Sequence, residues 1–350
     1  MSLDDVVAAL LFVGVLAYAV FAGADFGSGV WDLTAGDAET GAPLRTLIDK
    51  VIGPVWEANH TWLVYVLVFL WTGFPSVFAA LSETLFVPLS LAGLGIVARG
   101  SAFAFRKLAP NLAAARLFGA LFAVSSVITP FVFGCIVGAI ASGRVPADGS
   151  GDRWTSWTGP TSMVGGTLAV LTCAFLAATF LAAEAEHRGD HALIEWCRRR
   201  ALATGLAAGV VAALGILPIR HDAPTLFHGL TGRALLLMVA SALSGGLALW
   251  ALWRRWHGVA RVAAVGAVGA VVLGWGVGSY PWILVDSATI ADAAGPRATL
   301  WGLIAVVGLA AVLVLPPLGY LFWLTQRSGW VRAEHHGAAP RRRGLRTPTR

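Results

Sequence analysis

The sequence predicts an all-α membrane protein of about nine transmembrane helices, packed as helix bundles. Of its 350 residues, 57% are hydrophobic and 13% are charged, and the mean hydropathy is +0.74. A soluble domain carries roughly 25% charged residues, so this composition suits a lipid environment. The apolar runs are long and continuous, whereas the strands of a membrane barrel alternate between apolar and polar residues.

Nine apolar runs are long enough to cross a bilayer, since a helical span needs about 20 residues. Inside lipid each run must form a helix, because a backbone polar group without a hydrogen-bond partner costs several kcal/mol there. The predicted spans cover residues 6–30, 55–74, 77–98, 112–141, 161–183, 201–217, 233–252, 262–284 and 299–325.

The basic residues predict the orientation of these spans. Twenty of the 25 Lys and Arg, among them Arg99 and Arg106, fall in loops on one side or in the C-terminal tail, and five fall on the other side. Cytoplasmic loops hold the excess of Lys and Arg. We therefore expect the N-terminus outside the membrane and the C-terminus in the cytoplasm.

The chain divides into a nine-helix transmembrane domain, residues 1–326, and an Arg-rich cytoplasmic tail, residues 327–350. The tail holds seven arginines and few apolar residues, a composition that predicts disorder. It also accounts for much of the formal net charge of +6. Because these charges lie beside a span, we expect anionic lipid rather than nucleic acid as their partner.

Few residues of the chain could hold a cofactor. Cys135, Cys173 and Cys197 form neither a CxxC nor a CxxCH motif, so no zinc site or attached haem is predicted. His60 is the only histidine well inside a predicted span, whereas two or three haems need several axial ligands. We expect this chain to bind no metal and no haem, and we do not expect the isolated chain to be catalytic.

We single out three ionisable residues at membrane depth: Asp25, Glu57 and His60. A charge at the centre of a spanning helix costs at least about 2.5–3.5 kcal/mol, so each residue is a functional candidate. Desolvation raises the pKa of a carboxyl group toward the range where it exchanges protons at neutral pH. This makes Glu57 a candidate proton relay, with the alternative that it caps the start of its helix after Pro54.

Polar neighbours extend this candidate path. His60 follows Glu57 at i+3 on the same helix face, and Asn59 and Trp56 lie beside it. Asp25 stands in the glycine-rich run 23–29, where close approach of another helix is possible. It could be a second station for the proton or a structural polar contact between helices.

Several segments together resemble the cytochrome bd quinol oxidase subunit II family. They are the run from Tyr18 to Gly29, the run from Gly53 to Leu63, the pair Phe74-Pro75, the stretch from Arg99 to Arg106, and the pair Tyr280-Pro281. The resemblance covers roughly residues 5–325 and is most specific in the first hundred. Two positions depart from the family pattern: Ala22 replaces the first aspartate of the first signature, and His60 stands where the family often has an uncharged polar residue.

The resemblance implies a function for a complex in the bacterial cytoplasmic membrane. A first subunit would carry b-type and d-type haems, and the complex would oxidise quinol and reduce oxygen to water. The acidic residue at the position of Glu57 would lie on a proton path from the cytoplasm, and Asp25 would match the second aspartate of the first signature. Small accessory subunits and bound quinone or lipid are possible partners, and the sequence does not distinguish ubiquinol from menaquinol.

Two other classes of function stay open at this stage. A proton-coupled secondary transporter or channel would also place a carboxylate within the membrane. A purely structural scaffold would hold the haem-bearing subunit without moving protons.

Overall fold

The computed structural model describes residues 2–37, 39–106, 108 and 111–327. Inside helices, the side chains of residues 52–58, 112, 314–315, 318–319 and 321–327 lie outside this description. The predicted tail, residues 327–350, therefore falls almost entirely outside the described residues. Glu57 and Trp56 belong to the first group, so only their helical backbone is described.

The described part of the chain is almost wholly helical, which confirms the predicted all-α class. The longer helices are α1 (Leu3–Leu33), α2 (Ala42–Gly73), α4 (Phe86–Arg106), α5 (Leu112–Ala141), α6 (Pro160–Arg188), α7 (His191–Asp222), α9 (Leu235–Trp253), α10 (His257–Ser279) and α12 (Arg297–Arg327). The shorter helices are α3 (Pro75–Thr84), α8 (Pro224–Thr231) and α11 (Ile290–Ala293), with a 3-10 turn at Thr155–Trp157.

Seven of the described helices are long and apolar enough to cross a membrane, or eight if one bent pair forms a single span. This finding supports a multi-pass membrane protein. The count of nine spans and the external N-terminus stay predictions.

The third predicted span, 77–98, is wrong in its boundaries. The chain bends by 114° between Asn59–Gly73 and Pro75–Thr84, so residues 75–84 form the separate helix α3. Pro75 opens this helix, since proline suits a first helical position and lacks a backbone N–H. The following long helix, α4, begins at Phe86 and continues to Arg106, well beyond the predicted end.

The eighth predicted span, 262–284, also extends too far. Helix α10 ends at Ser279, and Tyr280 is extended with φ −55° and ψ 139°, as expected for a residue that precedes a proline. Residues Trp282–Leu284 (β1) instead pair antiparallel with Ala288–Thr289 (β2), forming a small ribbon.

Packing divides the chain into two compact units, Met1–Pro296 and Arg297–Arg350. The first unit contains α1 to α11 and the ribbon, and α1 packs against α2, α5 and α6 within it. A cluster of buried apolar residues from α1, α2, α6, α7, α9 and α10 forms much of its core. The second unit contains α12.

Candidate functional site

Helix α1 carries a buried segment, rich in small residues, in its second half, and this segment contains Asp25. All residues from 22 to 29 are buried, and Asp25 is 1% exposed. The glycines of this run let α6 approach closely, because a Cβ on Gly27 would lie only 1.9 Å from the carbonyl oxygen of Cys173. Small residues of this kind allow helix backbones to pack directly in a membrane.

Asp25 forms an ion pair with Arg99 of α4. The Arg99 guanidinium donates to both carboxylate oxygens, with Nη2 2.8 Å from Oδ1 and Nη1 2.9 Å from Oδ2, and also to the Asp25 backbone oxygen at 2.9 Å. Both side chains are buried, at 3% and 1% exposure. A bidentate pair of this geometry combines charge compensation with fixed orientation.

Neighbouring side chains also contact Asp25 and Arg99. Arg99 Nε donates to Ser126 Oγ at 2.8 Å, and Asn59 Nδ2 donates to Asp25 Oδ2 at 3.3 Å. The rings of Phe26 and Phe122 lie 5.0 and 4.6 Å from Arg99 Cζ, within cation–π range. Four helices, α1, α2, α4 and α5, therefore meet at one charged centre.

A cavity of about 10 Å³ lies beside this centre. It is lined by Tyr18, Asp25, Phe26, Asn59, His60, Leu63, Ile96 and Arg99. The volume corresponds to a single water molecule, and a water is held in such a site when polar groups surround it. Asn59 Oδ1 is buried and accepts no hydrogen bond from the described groups, which leaves it free to accept one from such a water.

A second group of ion pairs lies about two helical turns from the first, near the ends of the helices. Asp32 of α1 contacts Arg45 Nε at 2.7 Å and is also paired with Arg106, and Arg106 Nη2 lies 2.8 Å from Asp49 Oδ1. Phe122 separates the two groups, since its ring lies 5.2 Å from Arg106 Cζ. The two aspartates on α1, at 25 and 32, are seven residues apart, and so are the two arginines on α4, at 99 and 106. Both ion pairs therefore lie along the same line of contact between α1 and α4.

The structure thus brings three sequence-derived candidates together, Asp25, Asn59 and His60. The side chain of Glu57 lies outside the described residues. Its backbone lies in the interior of α2, which begins at Ala42 with a proline in its first turn. The alternative that Glu57 caps a helix starting near Pro54 is therefore wrong.

Sequence reasoning missed Arg99. It assigned Arg99 and Arg106 to a cytoplasmic loop because the third span was expected to end at residue 98, whereas α4 continues to Arg106. The signal that could have found the pair is the matching seven-residue spacing of the acidic residues on α1 and the basic residues on α4.

His257 was likewise assigned to a loop. It opens α10, is 3% exposed, and its Nδ1 lies 3.2 Å from Glu186 Oε1 of α6. The contact lies within ion-pair distance, although the angles do not make it a hydrogen bond. This histidine joins two helix ends, away from the Asp25 centre.

The site therefore combines a compensated ion pair with space for about one water. Within the described ranges, no group of three or more His, Cys, Asp or Glu side chains could hold a metal ion. The cavity that His60 lines is far too small for a porphyrin. What the arrangement can do chemically is orient polar side chains and a water at membrane depth.

Fold and site together define a multi-pass helical membrane protein with a charged centre inside its helix bundle. The chain belongs to the cytochrome bd terminal oxidase subunit II family, whose model matches residues 3–325. This match confirms the resemblance drawn from the sequence motifs.

Two curated relatives come from Bacillus subtilis (strain 168). The chain is 28% identical over 178 residues to a cytochrome bd ubiquinol oxidase subunit 2, and 24% identical over 235 residues to a putative cytochrome bd menaquinol oxidase subunit II. These alignments cover 49% and 65% of this chain. They span 51% and 66% of the relatives' own lengths, about half of one and just under two thirds of the other.

The fold is also similar to that of a solved structure, the bd oxidase from Geobacillus thermodenitrificans. The TM-score is 0.74 at 23% sequence identity, and the match covers 93% of this chain and 99% of that chain. The similarity supports the fold described above.

Proposed function

We propose that this chain is the second subunit of a cytochrome bd type quinol:oxygen oxidoreductase in the bacterial cytoplasmic membrane. It pairs with a haem-bearing first subunit, stabilises that subunit, and contributes to proton uptake from the cytoplasm for the reduction of oxygen to water. The observation that carries the proposal is the family match over residues 3–325. The two relatives are named for ubiquinol and menaquinol, so the proposed reductant is a quinol as a class.

The haems are assigned to the partner subunit. The cavity that His60 lines has a volume of about 10 Å³, which supports this assignment. The part proposed for this chain is to pack against that subunit and to move protons.

Glu57 is the proposed proton-carrying residue, and the Asp25 centre is proposed to position its neighbours. Asp25 has both carboxylate oxygens engaged by Arg99, so its charge is compensated and its geometry is fixed. Asn59 of α2 donates a hydrogen bond to Asp25. We infer that this hydrogen bond orients the face of α2 that carries Glu57 and His60 toward the proton path.

Purification through a tag on this chain tests the assignment. We expect a haem-containing multi-helix membrane subunit to copurify, and the absorption spectrum of the complex to show b-type and d-type haems. The proposal would be contradicted if the chain purified alone in a stable, folded form and moved protons or solute when reconstituted into liposomes. That result would identify a transporter or channel.

A further inference from the structure

Helices α9 and α10 leave an open groove on the apolar surface of the first unit. Its volume is about 630 Å³, it is open to the surroundings, and its lining is mostly apolar. It is lined by Ser244, Leu247, Gly258, Val259, Val262, Ala263 and Gly266. Val262, one of the lining residues, is 70% exposed, so the other elements of the first unit leave the groove uncovered.

On the side away from the connecting turn, Ser241 Oγ donates to the Ala267 carbonyl oxygen at 2.9 Å and holds α9 and α10 together. From Gly258 to Gly266 the helix rises by about 12 Å. The lining includes Gly258, which closely follows the turn that connects α9 to α10, so a linear apolar chain can lie along the groove with its polar end near this turn.

The connecting turn presents two adjacent arginines, Arg254 and Arg255. The N–H of Trp256 donates to Ala251 O at 2.8 Å and the N–H of Arg255 donates to Leu252 O at 3.2 Å. This is the helix-ending pattern that usually places glycine in the left-handed position. Arg255 occupies that position here with φ 64°, so an arginine stands where backbone conformation favours glycine.

Two tryptophan rings lie at this turn. Trp250 and Trp256 are in edge contact with ring centroids 5.1 Å apart, and Arg254 Cζ lies 5.9 Å from the Trp256 ring. Both rings are about half exposed. Tryptophan is enriched at headgroup depth in membrane proteins, so this turn is suited to the boundary between lipid and water.

Positive charge is in excess at this end of the groove. Two carboxylates lie near this turn. Glu186 is 3.2 Å from His257, and Glu195 is shared among Arg198 at 2.8 Å, Arg199 at 2.9 Å and Arg255 at 3.7 Å. Among the residues that the structure describes, Arg254 has no carboxylate within 4.0 Å. An anionic group would therefore balance the charge that the protein leaves uncompensated.

We propose that the groove between α9 and α10 binds an anionic glycerophospholipid. The phosphate headgroup contacts Arg254 and Arg255, and one acyl chain lies along the groove past Val262. The positive charges of Arg254 and Arg255 at the connecting turn favour an anionic lipid over a neutral lipid or an apolar helix of another chain. The inference is independent of the proposed oxidase function.

Native mass spectrometry of the full-length protein, with any subunits that copurify, tests this proposal. The probes are phosphatidylglycerol and phosphatidylcholine with identical acyl chains, added in equal amounts to delipidated protein. We expect preferential retention of one phosphatidylglycerol, and a loss of this preference by more than about tenfold in R254Q/R255Q, since each arginine near an anionic headgroup contributes about 1 kcal/mol. R254K/R255K should retain it, and V262W, which fills the groove, should lose it.

The matched control is K50Q/R116Q, which removes the same charge from exposed positions of the predicted cytoplasmic side on α2 and α5, helices that do not line the groove, and should bind lipid like the wild type. Equal retention of the two lipids by the wild type would overturn the proposal. So would unchanged phosphatidylglycerol retention in R254Q/R255Q or in V262W, or a second polypeptide bound across Val262.

Discussion

Asp25 and Arg99 compensate each other's charge inside the protein. A single charge at the centre of a spanning helix costs at least about 2.5–3.5 kcal/mol. Here each hydrogen-bonding group of the pair has a protein partner, including Ser126 and Asn59. Removing one partner would leave the other charge buried and unpaired, which in soluble proteins costs roughly 3–5 kcal/mol.

The single substitutions D25N and R99Q should therefore each lower the thermal unfolding midpoint and the amount of protein in the membrane. The double substitution D25N/R99Q should be less destabilising than the sum of the two single changes, because no unpaired charge remains. Thermal unfolding of the purified variants in one detergent measures all three.

The control for this cycle is the exposed pair Glu184 and Arg188 on α6, whose side chains are each 35% exposed. An exposed pair contributes about 0.2–1 kcal/mol, so E184Q and R188Q should change the midpoint little. Additive effects of D25N and R99Q would contradict the ion pair.

Sequence reasoning at the residue scale found one half of this centre. An aspartate within an apolar run is conspicuous, and Asp25 was singled out for that reason. Arg99 was overlooked because it lies near the end of its apolar run, where arginine is ordinarily a loop residue. Only the three-dimensional arrangement shows that Ser126 and Phe122, both unremarkable in sequence, surround the guanidinium.

At the scale of elements, the contact of α1 with α6 depends on Gly27. A methyl group there would meet the backbone of Cys173 and the Cβ of Ala177, at 1.9 and 2.7 Å. Because the obstacle at Cys173 is backbone, the helices would have to move apart. Overpacking of this kind costs typically 1–3 kcal/mol.

We therefore expect G27A to lower the thermal midpoint and to reduce the yield of folded protein. Gly93 on α4 is the matched control, because a Cβ there would meet no atom within 4 Å. G93A should be neutral or slightly stabilising, since alanine is the better helix former. Equal midpoints for G27A and G93A would show that the close approach is unimportant.

The loop between α5 and α6 is ordered by Asp152. Its carboxylate accepts hydrogen bonds from the N–H groups of Trp154 and Thr155 and from the Thr155 hydroxyl. These bonds hold the pKa of Asp152 below its usual value. Because the pKa of Asp152 is lower in the folded protein, these bonds stabilise the loop fully at pH values above the ordinary aspartate pKa of about 3.9. This stabilisation is lost as the pH falls through the lowered pKa.

Removal of the carboxylate should open this turn at neutral pH. We expect D152A to speed hydrogen exchange at the amides of Trp154 and Thr155 severalfold, measured by mass spectrometry. Amides of the helical interior of α6 serve as the internal reference and should exchange as in the wild type. Unchanged exchange in the loop would mean that other contacts order it.

Apolar runs predicted the bounds of α5, α6 and α9 to within a few residues. They failed where proline ends an element inside an apolar stretch. Hydropathy does not register the bend before Pro75 or the end of α10 before Pro281, because the residues on both sides stay apolar.

For the whole molecule, orientation in the membrane is the main untested prediction. Excess basic residues place the loop after α1 in the cytoplasm and the loop after α5 outside. The three native cysteines are free and buried, so introduced surface cysteines can be labelled selectively.

We expect S150C to react with a membrane-impermeant maleimide in intact cells. E39C, in an exposed position of the loop after α1, should react only after the membrane is permeabilised. The reverse pattern would invert the predicted topology and move Glu57 to the outer side.

Proton transfer by Glu57 is tested most directly by the quinol oxidase turnover of the purified complex carrying E57Q, normalised to its haem content. The control is E83Q, which neutralises an exposed glutamate of α3 on the predicted outer side. We predict that E57Q keeps its haems but loses most of its turnover, while E83Q behaves like the wild type. If E57Q retained both full haem content and full turnover, Glu57 would not carry protons, and the chain would act as a structural scaffold alone.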